Sequence, residues 1–490
     1  MRKKKLQMTT VKKTLIGASS ARIKTWDAIN WRIVEIHVQR LQLRIAKAIK
    51  VGRYNRAKSL QWLLTHSFYA KLLAVKRVTQ NRGKNTPGVD RIIWKTNKLK
   101  MQAAKALRRR GYSPQPLRRI YIPKKNGKRR PLGIPTMTDR SQQALHLLAL
   151  DPIADILADK NSYGFRPKRS THDAIEQCFK VLAGKHSARW VLEGDIKSCF
   201  DKISHEWLVK YANMDKEILR KWLKAGYMEK KAFHQTEEGT PQGGIISPTL
   251  ANIALDGLEM AIKTASQKGY KINLVRYADD FIVTAASKMI LETVVYPIIT
   301  AFLNERDLEL SVEKTKITHI DEGFDFLGFN VRKYRGKLLI KPAKKGIKTF
   351  LSSIREIVKA QRAVKTEVLI YSLNTKIRGW VNYYRHCVAK ETFTYVDHCI
   401  FQTIWNWAKR RHPNKPRCWT RKRYFTQLSL ANWCFYSVVK QKGQRNLMLL
   451  KSANQTRIQR HVKVQADASP YDPDYKDYFI KRNSKRMKTR

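Results

Sequence analysis

A chain of 490 residues with 43% hydrophobic and 10% aromatic content is long enough for about two to four domains with real cores. No apolar run approaches the roughly 20 residues that cross a bilayer, so a helical membrane protein is not expected. Lys and Arg number 99 against 38 Asp and Glu, a net charge of +61, and self-repulsion on that scale disfavours compactness unless a polyanion lies alongside. With 12 Trp and 20 Tyr interleaved, the expected partner is nucleic acid. An anionic membrane is the weaker candidate, because no basic amphipathic anchor with a strong apolar face is visible.

Residues 1–25 contain no acid and read as a basic arm touching RNA, with an organellar transit peptide as the alternative. From Trp26 to about Thr79 the pattern is helical. Ile33, Ile36, Val38, Leu41, Ile45 and Ile49 recur at near-helical spacing, and Leu60, Leu63, Leu64, Phe68, Leu72 and Leu73 resume after a break near Gly52. Residues 80–90 read as a loop, and 98–110 as a basic helix capped at Gly111. Residues 119–135 then carry two β-like pieces around an Asn126-Gly127 turn, a hairpin signal. Its tip crowds Lys124, Lys125, Lys128, Arg129 and Arg130; such a finger suits a triphosphate or backbone phosphate, and a solvated basic hairpin is the other reading. Residues 161–173 form a polar loop opening a helix, with Ser170 or Thr171 as cap.

Trp190 to Leu192 read as a buried strand ending in Asp195, with Phe200 five residues on, near enough to wall the same site. Gly239-Thr240-Pro241-Gln242-Gly243-Gly244 is a Gly-rich loop entering a helix, whose backbone would approach a ligand closely. Asp279 and Asp280 then interrupt two apolar runs, Leu274-Val275 and Phe281 to Val283, predicting a hairpin with carboxylates at its tip. Adjacent side chains on extended backbone diverge, so one of the two, Asp279, is expected to face the chemistry fully. A plain polar turn is the alternative. Residues 308–320 hold two alternating runs around Lys314 and Lys316, and 324–331 a further short hairpin.

After about Lys341 basic, aromatic helices dominate, over 347–360, 368–387 and 394–412, broken by Pro413 and Pro416. Trp380, Tyr383, Tyr384, Trp405 and Trp407 read as core rather than base-stacking platforms. Strands are expected at 433–439 and 447–450, and roughly the last 25 residues as a loosely ordered tail. Six scattered cysteines, with no Cys-x-x-Cys pair, argue against a zinc ribbon or a disulfide framework and fit a reducing compartment.

Three acids stand out: Asp195, Asp279 and Asp280. Hard cations such as magnesium take carboxylate oxygens and substrate phosphates as ligands, and two such ions stabilise the attacking and leaving oxygens of an in-line displacement. The finger around Lys124 and Arg130 would hold the triphosphate. Nucleotidyl transfer onto a 3′-hydroxyl follows as the chemical hypothesis.

Tyr277-Ala278-Asp279-Asp280, with Asp195 and Phe200 upstream, resembles the palm of a reverse transcriptase. The order of blocks is similar to that of a group II intron-encoded reverse transcriptase/maturase. It runs from Ile122-Pro-Lys and Pro131-Leu-Gly-Ile-Pro135 through Tyr163-Gly-Phe-Arg-Pro167, the loop at 239–244 and Tyr277–Asp280 to Phe326-Leu-Gly-Phe329. Residues 377–385 resemble the maturase thumb motif, and the likeness covers roughly residues 24–480.

The resemblance implies an α+β right-hand polymerase: fingers, a palm with a catalytic antiparallel sheet, a helical thumb and a small basic C-terminal region. The expected units are the arm (1–25), N-terminal extension and fingers (26–118), fingers/palm core (119–335), thumb or maturase domain (336–420), and DNA-binding region with tail (421–490). The loop at 80–90 would be a lid over the template. Asp195 and Asp279 would bind two Mg2+ ions, supported by Asp280. Lys124 and Arg130 would contact the incoming triphosphate, and Gln242 would line the nascent base pair. Phe200 would be a steric gate against the ribose 2′-hydroxyl. Implied partners are group II intron RNA, an RNA template with DNA primer, target DNA and deoxynucleoside triphosphates, in a bacterial cytoplasm near the nucleoid.

Many relatives end in an HNH-type endonuclease with paired metal-binding cysteines and histidines. Here only His461 follows Cys434, so that domain is not expected, and a nascent strand at a replication fork would be the primer. Two alternatives remain beside the maturase reading: a reverse transcriptase recruited to phage defence or CRISPR spacer acquisition, and a splicing factor that binds intron RNA without synthesis.

Overall fold

The computed structural model describes residues 25–488 except 124–126, 128, 230–231, 241–242, 429–430 and 442–443. Nearly all of the expected basic arm, together with Lys124 and Gln242, lies outside the described residues.

Three helices, Trp31–Lys50, Tyr54–His66 and Phe68–Gln80, open the chain. Asn30 caps the first by accepting from the Ile33 amide, and the chain turns at Gly52 with φ +71°. Val34, Val38, Leu41, Ile45 and Ile49 form the buried stripe against helix Met137–Leu157. Ile33, Ile36 and Leu63, expected in the periodic pattern, fall off that stripe and are exposed. Residues 80–90 contain a 3-10 turn, Arg82–Asn85, held by Arg140, which donates to the carbonyls of Gly83 and Thr86. The helix expected over 98–110 is Asn97–Ala106, capped by Thr96 and ended well before Gly111. Three successive arginines would have to share its last turn. Instead Arg109 leaves to pair with Asp215 and Glu217.

Strands β1 (Leu117–Pro123) and β2 (Arg129–Ile134) form the expected hairpin, in register from Arg118–Ile134 to Pro123–Arg129. After β3 (Trp190–Asp195), β4 (Tyr227–Glu229) and β5 (Ala232–His234) extend that hairpin into a sheet of order β2-β1-β4-β5. The central sheet joins β3 to β6 (Asn273–Tyr277), β7 (Asp280–Ala285) and β8 (Lys316–His319) in the antiparallel order β6-β7-β3-β8.

The apolar runs of β3, β6 and β7 are unbroken because both faces are covered. Leu192, Leu274, Phe281 and Val283 enter one core with Leu250, Ile299 and Leu303. Their neighbours Val191, Val275 and Ile282 enter the other with Ile175, Phe329 and Ile354. Burying both faces fixes the register, since a one-residue slip would exchange every side chain between the cores.

A second sheet, β9 (Phe324–Phe326), β10 (Phe329–Tyr334) and β11 (Lys337–Pro342), leads into helices Lys344–Ala360, Thr366–Tyr384 and Lys390–Arg411. Trp380 stacks on Phe350 with ring centroids 4.5 Å apart, and Trp407 and Tyr384 are buried, so these aromatics are core as expected. A three-stranded sheet of β12 (Phe425–Leu428), β13 (Ala431–Gln441) and β14 (Gln444–Leu449) follows. The whole is an α+β right-hand fold. Among the described residues no helix is long and apolar enough to cross a membrane, and none of the six cysteines forms a disulfide.

The tail departs from expectation. Residues 451–484 are docked, with Val464, Ala468 and Phe479 buried, and they end in helix Lys476–Lys488. Composition misses this because a few small apolar anchors and specific charge pairs suffice. Lys160 pairs with Asp467 at 2.8 Å, and Lys50 with Asp472 and Asp474 at 2.9 Å each.

Candidate active site

The carboxylates come together because two strand ends meet. Asp195 closes β3 and stands opposite Asp280, the first residue of β7, one step past the Gly194–Phe281 pair. Gly194 is required there: a Cβ would lie 2.2 Å from the Phe281 ring. Tyr277 pairs with Asp280, leaving Ala278 and Asp279 as a two-residue hairpin turn. Ala278 carries φ +59° at its first position, a strained conformation for a residue with a Cβ.

The strain is held from behind by the 161–165 loop. Tyr163 N–H donates to Arg276 O at 2.9 Å, and Arg276 N–H to Asn161 O at 3.0 Å. Gly164 lies so close that a Cβ would sit 2.3 Å from the Ala278 nitrogen. Asn252 Nδ2 donates to Gly164 O at 2.8 Å. Beneath, the fully buried Arg276 pairs with Asp256 and donates to Asn252 Oδ1 at 3.3 Å.

Negative charge accumulates at the tip. Burial first, then the charge of Asp195, raise the Asp279 carboxyl above its ordinary range, while its own backbone amide, Arg130 and Lys314 oppose them. Asp280 opens onto solvent at the rim, yet burial of its inner side, Asp279 and Asp195 push it up to about 6. Lys314 supplies the nearest counter-charge, donating from Nζ to Asp195 Oδ2 at 2.7 Å. The Ser311 amide, which donates to Asp195 O at 2.8 Å, anchors the approach to β8 that delivers this lysine.

Among the described residues no three acidic, histidine or cysteine side chains close on one point as a finished cation cage. The centre is an open set of carboxylate oxygens short of positive charge. That donor set fits a hard divalent ion that keeps substrate phosphates as its other ligands, and not a thiolate- or imidazole-seeking metal.

The walls follow the expected pieces. Arg130 on β2 reaches Asp279 electrostatically. Phe200 is half-buried and faces Phe165 edge-on at 6.3 Å, and its neighbour Cys199 is pushed up to about 12 by burial and then by Asp279. The Gly-rich loop is stitched to this turn, with Thr240 N–H donating to Phe200 O at 2.6 Å. Gly243, at φ +119°, passes under β2, where a Cβ would lie 2.5 Å from Gly133 O. That close approach is to the finger strand, whereas the sequence reading gave it to a ligand. A cavity of about 450 Å³ opens beside the turn, lined by Arg119, Ser198, Asp201, Tyr227 and Thr240, with Arg119 lying 3.8 Å over the Tyr227 ring.

The structure thus joins Asp195, Asp279 and Asp280 under Arg130 and beside the Phe200 turn. Sequence reasoning missed Lys314 as a partner of Asp195, and the bracing set of Gly164, Asn252, Asp256 and Arg276. For Lys314 the available signal was its place two residues before β8, and for Gly164 its place in the Tyr163–Pro167 block; Asn252, Asp256 and Arg276 gave none.

Residues 122–331 match the reverse transcriptase (RNA-dependent DNA polymerase) family, 26–107 the N-terminal domain of reverse transcriptase, and 347–425 the group II intron, maturase-specific domain. The chain is 33% identical over 347 residues to Protein YkfC of Escherichia coli (strain K12), covering 61% of this chain and 90% of that protein. It is 30% identical over 402 residues to the group II intron-encoded protein LtrA of Lactococcus lactis subsp. cremoris, covering 68% of this chain and 66% of LtrA. It is 27% identical over 438 residues to an uncharacterized 91 kDa protein in the cob intron of Schizosaccharomyces pombe, covering 72% and 52%.

Proposed function

Because this chain belongs to the group II intron reverse transcriptase and maturase family, we propose that it is an RNA-directed DNA polymerase that binds group II intron RNA, assists its splicing and copies it into DNA during retrohoming. The observation that carries this reading is the crowded set of carboxylates Asp195, Asp279 and Asp280 at paired strand ends, short of positive counter-charge. Two magnesium ions, when bound, would supply electrophilic stabilisation of the attacking and leaving oxygens. Asp195 and Asp279 are the residues to hold them, with Asp280 in support. Lys314 would release Asp195 as that charge arrives.

Arg130 and Lys124, from the two sides of the Asn126-Gly127 turn, counter the triphosphate, and Gln242 lines the nascent pair. Template, primer, deoxynucleotides and target DNA are the proposed ligands, and the bacterial cytoplasm near the nucleoid the proposed workplace. The proposed units keep the boundaries 26–118, 119–335, 336–420 and 421–490. The maturase-specific match and the intact acids favour neither recruitment to defence or spacer acquisition nor loss of synthesis.

The test is extension of a DNA primer on an RNA template with either deoxy- or ribonucleotides. Wild type should use deoxynucleotides. Phe200→Ala, which removes the ring under the sugar, should reduce discrimination against ribonucleotides by roughly 100-fold, measured as the ratio of the two kcat/KM values. Unchanged discrimination would remove Phe200 from the gate.

Gly164→Ala tests the brace in the same assay. Its Cβ meets backbone at 2.3–3.0 Å, so the Tyr277–Ala278 hairpin must move. A displacement on the order of 1 Å should cost roughly 100-fold in incorporation rate. Full activity in a folded Gly164→Ala protein would show that the hairpin position is not critical.

A further inference from the structure

The segment after β14 is tied to three parts of the fold. It is tied first to the thumb helices: the Ala453 and Asn454 amides each donate to Asp397 at 2.8 Å, and Gln459 N–H donates to Arg385 O at 2.9 Å. It then crosses to the palm. Asp173, fully buried at the start of helix Thr171–Leu182, accepts from His461 Nε2 at 2.8 Å, the Val464 amide at 2.8 Å and Arg482 at 3.1 Å. Between these palm contacts it also reaches the first helix, where Asp472 and Asp474 pair with Lys50.

Where the tail crosses, three histidine rings pack together. His172 lies 4.2 Å from His386 and 5.5 Å from His461, centroid to centroid. His172 Nε2 donates to Tyr383 O at 3.0 Å. Tyr383 in turn donates from its hydroxyl to Leu327 O at 2.8 Å, and Tyr384 to Gly328 O at 3.1 Å.

The Leu327–Gly328 turn has φ +50° and +82°, so its leucine is held in a conformation it would not choose. Leu327, Tyr383 and Tyr277 pack against the same core. Tyr277 is the last residue before the Asp279 turn.

We propose that residues 451–484 act as a strap that positions the polymerase centre, with Asp173–His461 fixing the histidine layer and Tyr383 passing that constraint to the Leu327 turn and the Tyr277 hairpin. His461 and Tyr383 are positioning residues; neither touches substrate. The proposal rests on the polymerase reading of the carboxylates. Rigid packing and hydrogen bonds with defined partners are the physical means of such coupling, and non-additivity is its signature.

The experiment is a double-mutant cycle on the full chain, reading kcat and KM for deoxynucleotide on an RNA template. His461→Ala and Tyr383→Phe should each lower kcat about fivefold with little change in KM, and the double variant should lose no more than the larger single loss. His461→Gln, which keeps a donor for Asp173, should restore most of the rate. Losses that multiply, or a folded Tyr383→Phe protein with wild-type kcat, would overturn the proposal. If wild type itself makes no DNA, the polymerase reading fails separately. Hydrogen exchange of amides 277–281 then decides: faster exchange in His461→Ala supports the strap, and unchanged exchange overturns it.

Discussion

Asp279→Asn should fold, melt no lower than wild type and bind intron RNA with unchanged affinity, while deoxynucleotide incorporation falls by at least roughly 1,000-fold, the scale of losing one preorganised electrostatic group. Asparagine preserves the shape of the turn residue and removes only its charge. The stability half of this expectation follows from crowding. Asp280 is pushed up to about 6 by burial, Asp279 and Asp195, so removing the Asp279 charge relieves Asp280. A site kept strained for chemistry is commonly stabilised when its chemistry is removed. Single-nucleotide incorporation, RNA binding at high salt and a thermal melt on one preparation make the comparison. High salt matters because nonspecific phosphate contacts fade there. If RNA affinity fell with the polymerase in a folded variant, the carboxylate centre and the RNA-binding surface would not be separable.

Arg276→Met should destabilise the protein by about 3–5 kcal/mol, the cost of breaking a buried ion pair from one side. Arg276 has no solvent exposure and serves Asp256, Asn252 and the carbonyl of Ala278 at once. Even with Arg276 in place, burial pushes the Asp256 carboxyl up to about 6, so without the guanidinium the charge is untenable. Methionine fills much of the volume, which isolates the electrostatic loss from cavity formation. Denaturant unfolding measures the effect. Adding Asp256→Asn should recover part of the loss, because a neutral amide needs no counter-charge. Wild-type stability in Arg276→Met would mean that the buried pair contributes nothing net.

The three acids were legible in the sequence because their signal is local. Apolar runs of strand length ended in Asp195 and flanked Asp279-Asp280, and strands buried on both faces leave that mark wherever they occur. The helices expected over 347–360, 368–387 and 394–412 were legible from their basic, aromatic composition and the breaks at Pro413 and Pro416, and their apolar residues Ile354, Leu369, Ile377, Ile400 and Ile404 are buried in one core. What stayed hidden depends on partners distant in the chain. Gly164 looks like any loop glycine until Ala278 is laid against it, and Arg276 looks like a polar interruption of β6 until Asp256 arrives. Lys314 gave alternation but not its Asp195 partner. The helix end at Ala106 was misplaced because Arg109 answers to Asp215 and Glu217 and not to its own helix. The tail was misjudged because Asp173, nearly 290 residues away from His461 by chain, supplies its main anchor.

The most direct test of the central claim is primer extension by the wild-type protein on an RNA template, with divalent ions chelated and then restored. Expected is a DNA product that stops on chelation and resumes with added magnesium. No product despite tight binding of intron RNA would contradict the polymerase and leave a splicing factor. Product that persists without any divalent ion would contradict the role given to Asp195, Asp279 and Asp280.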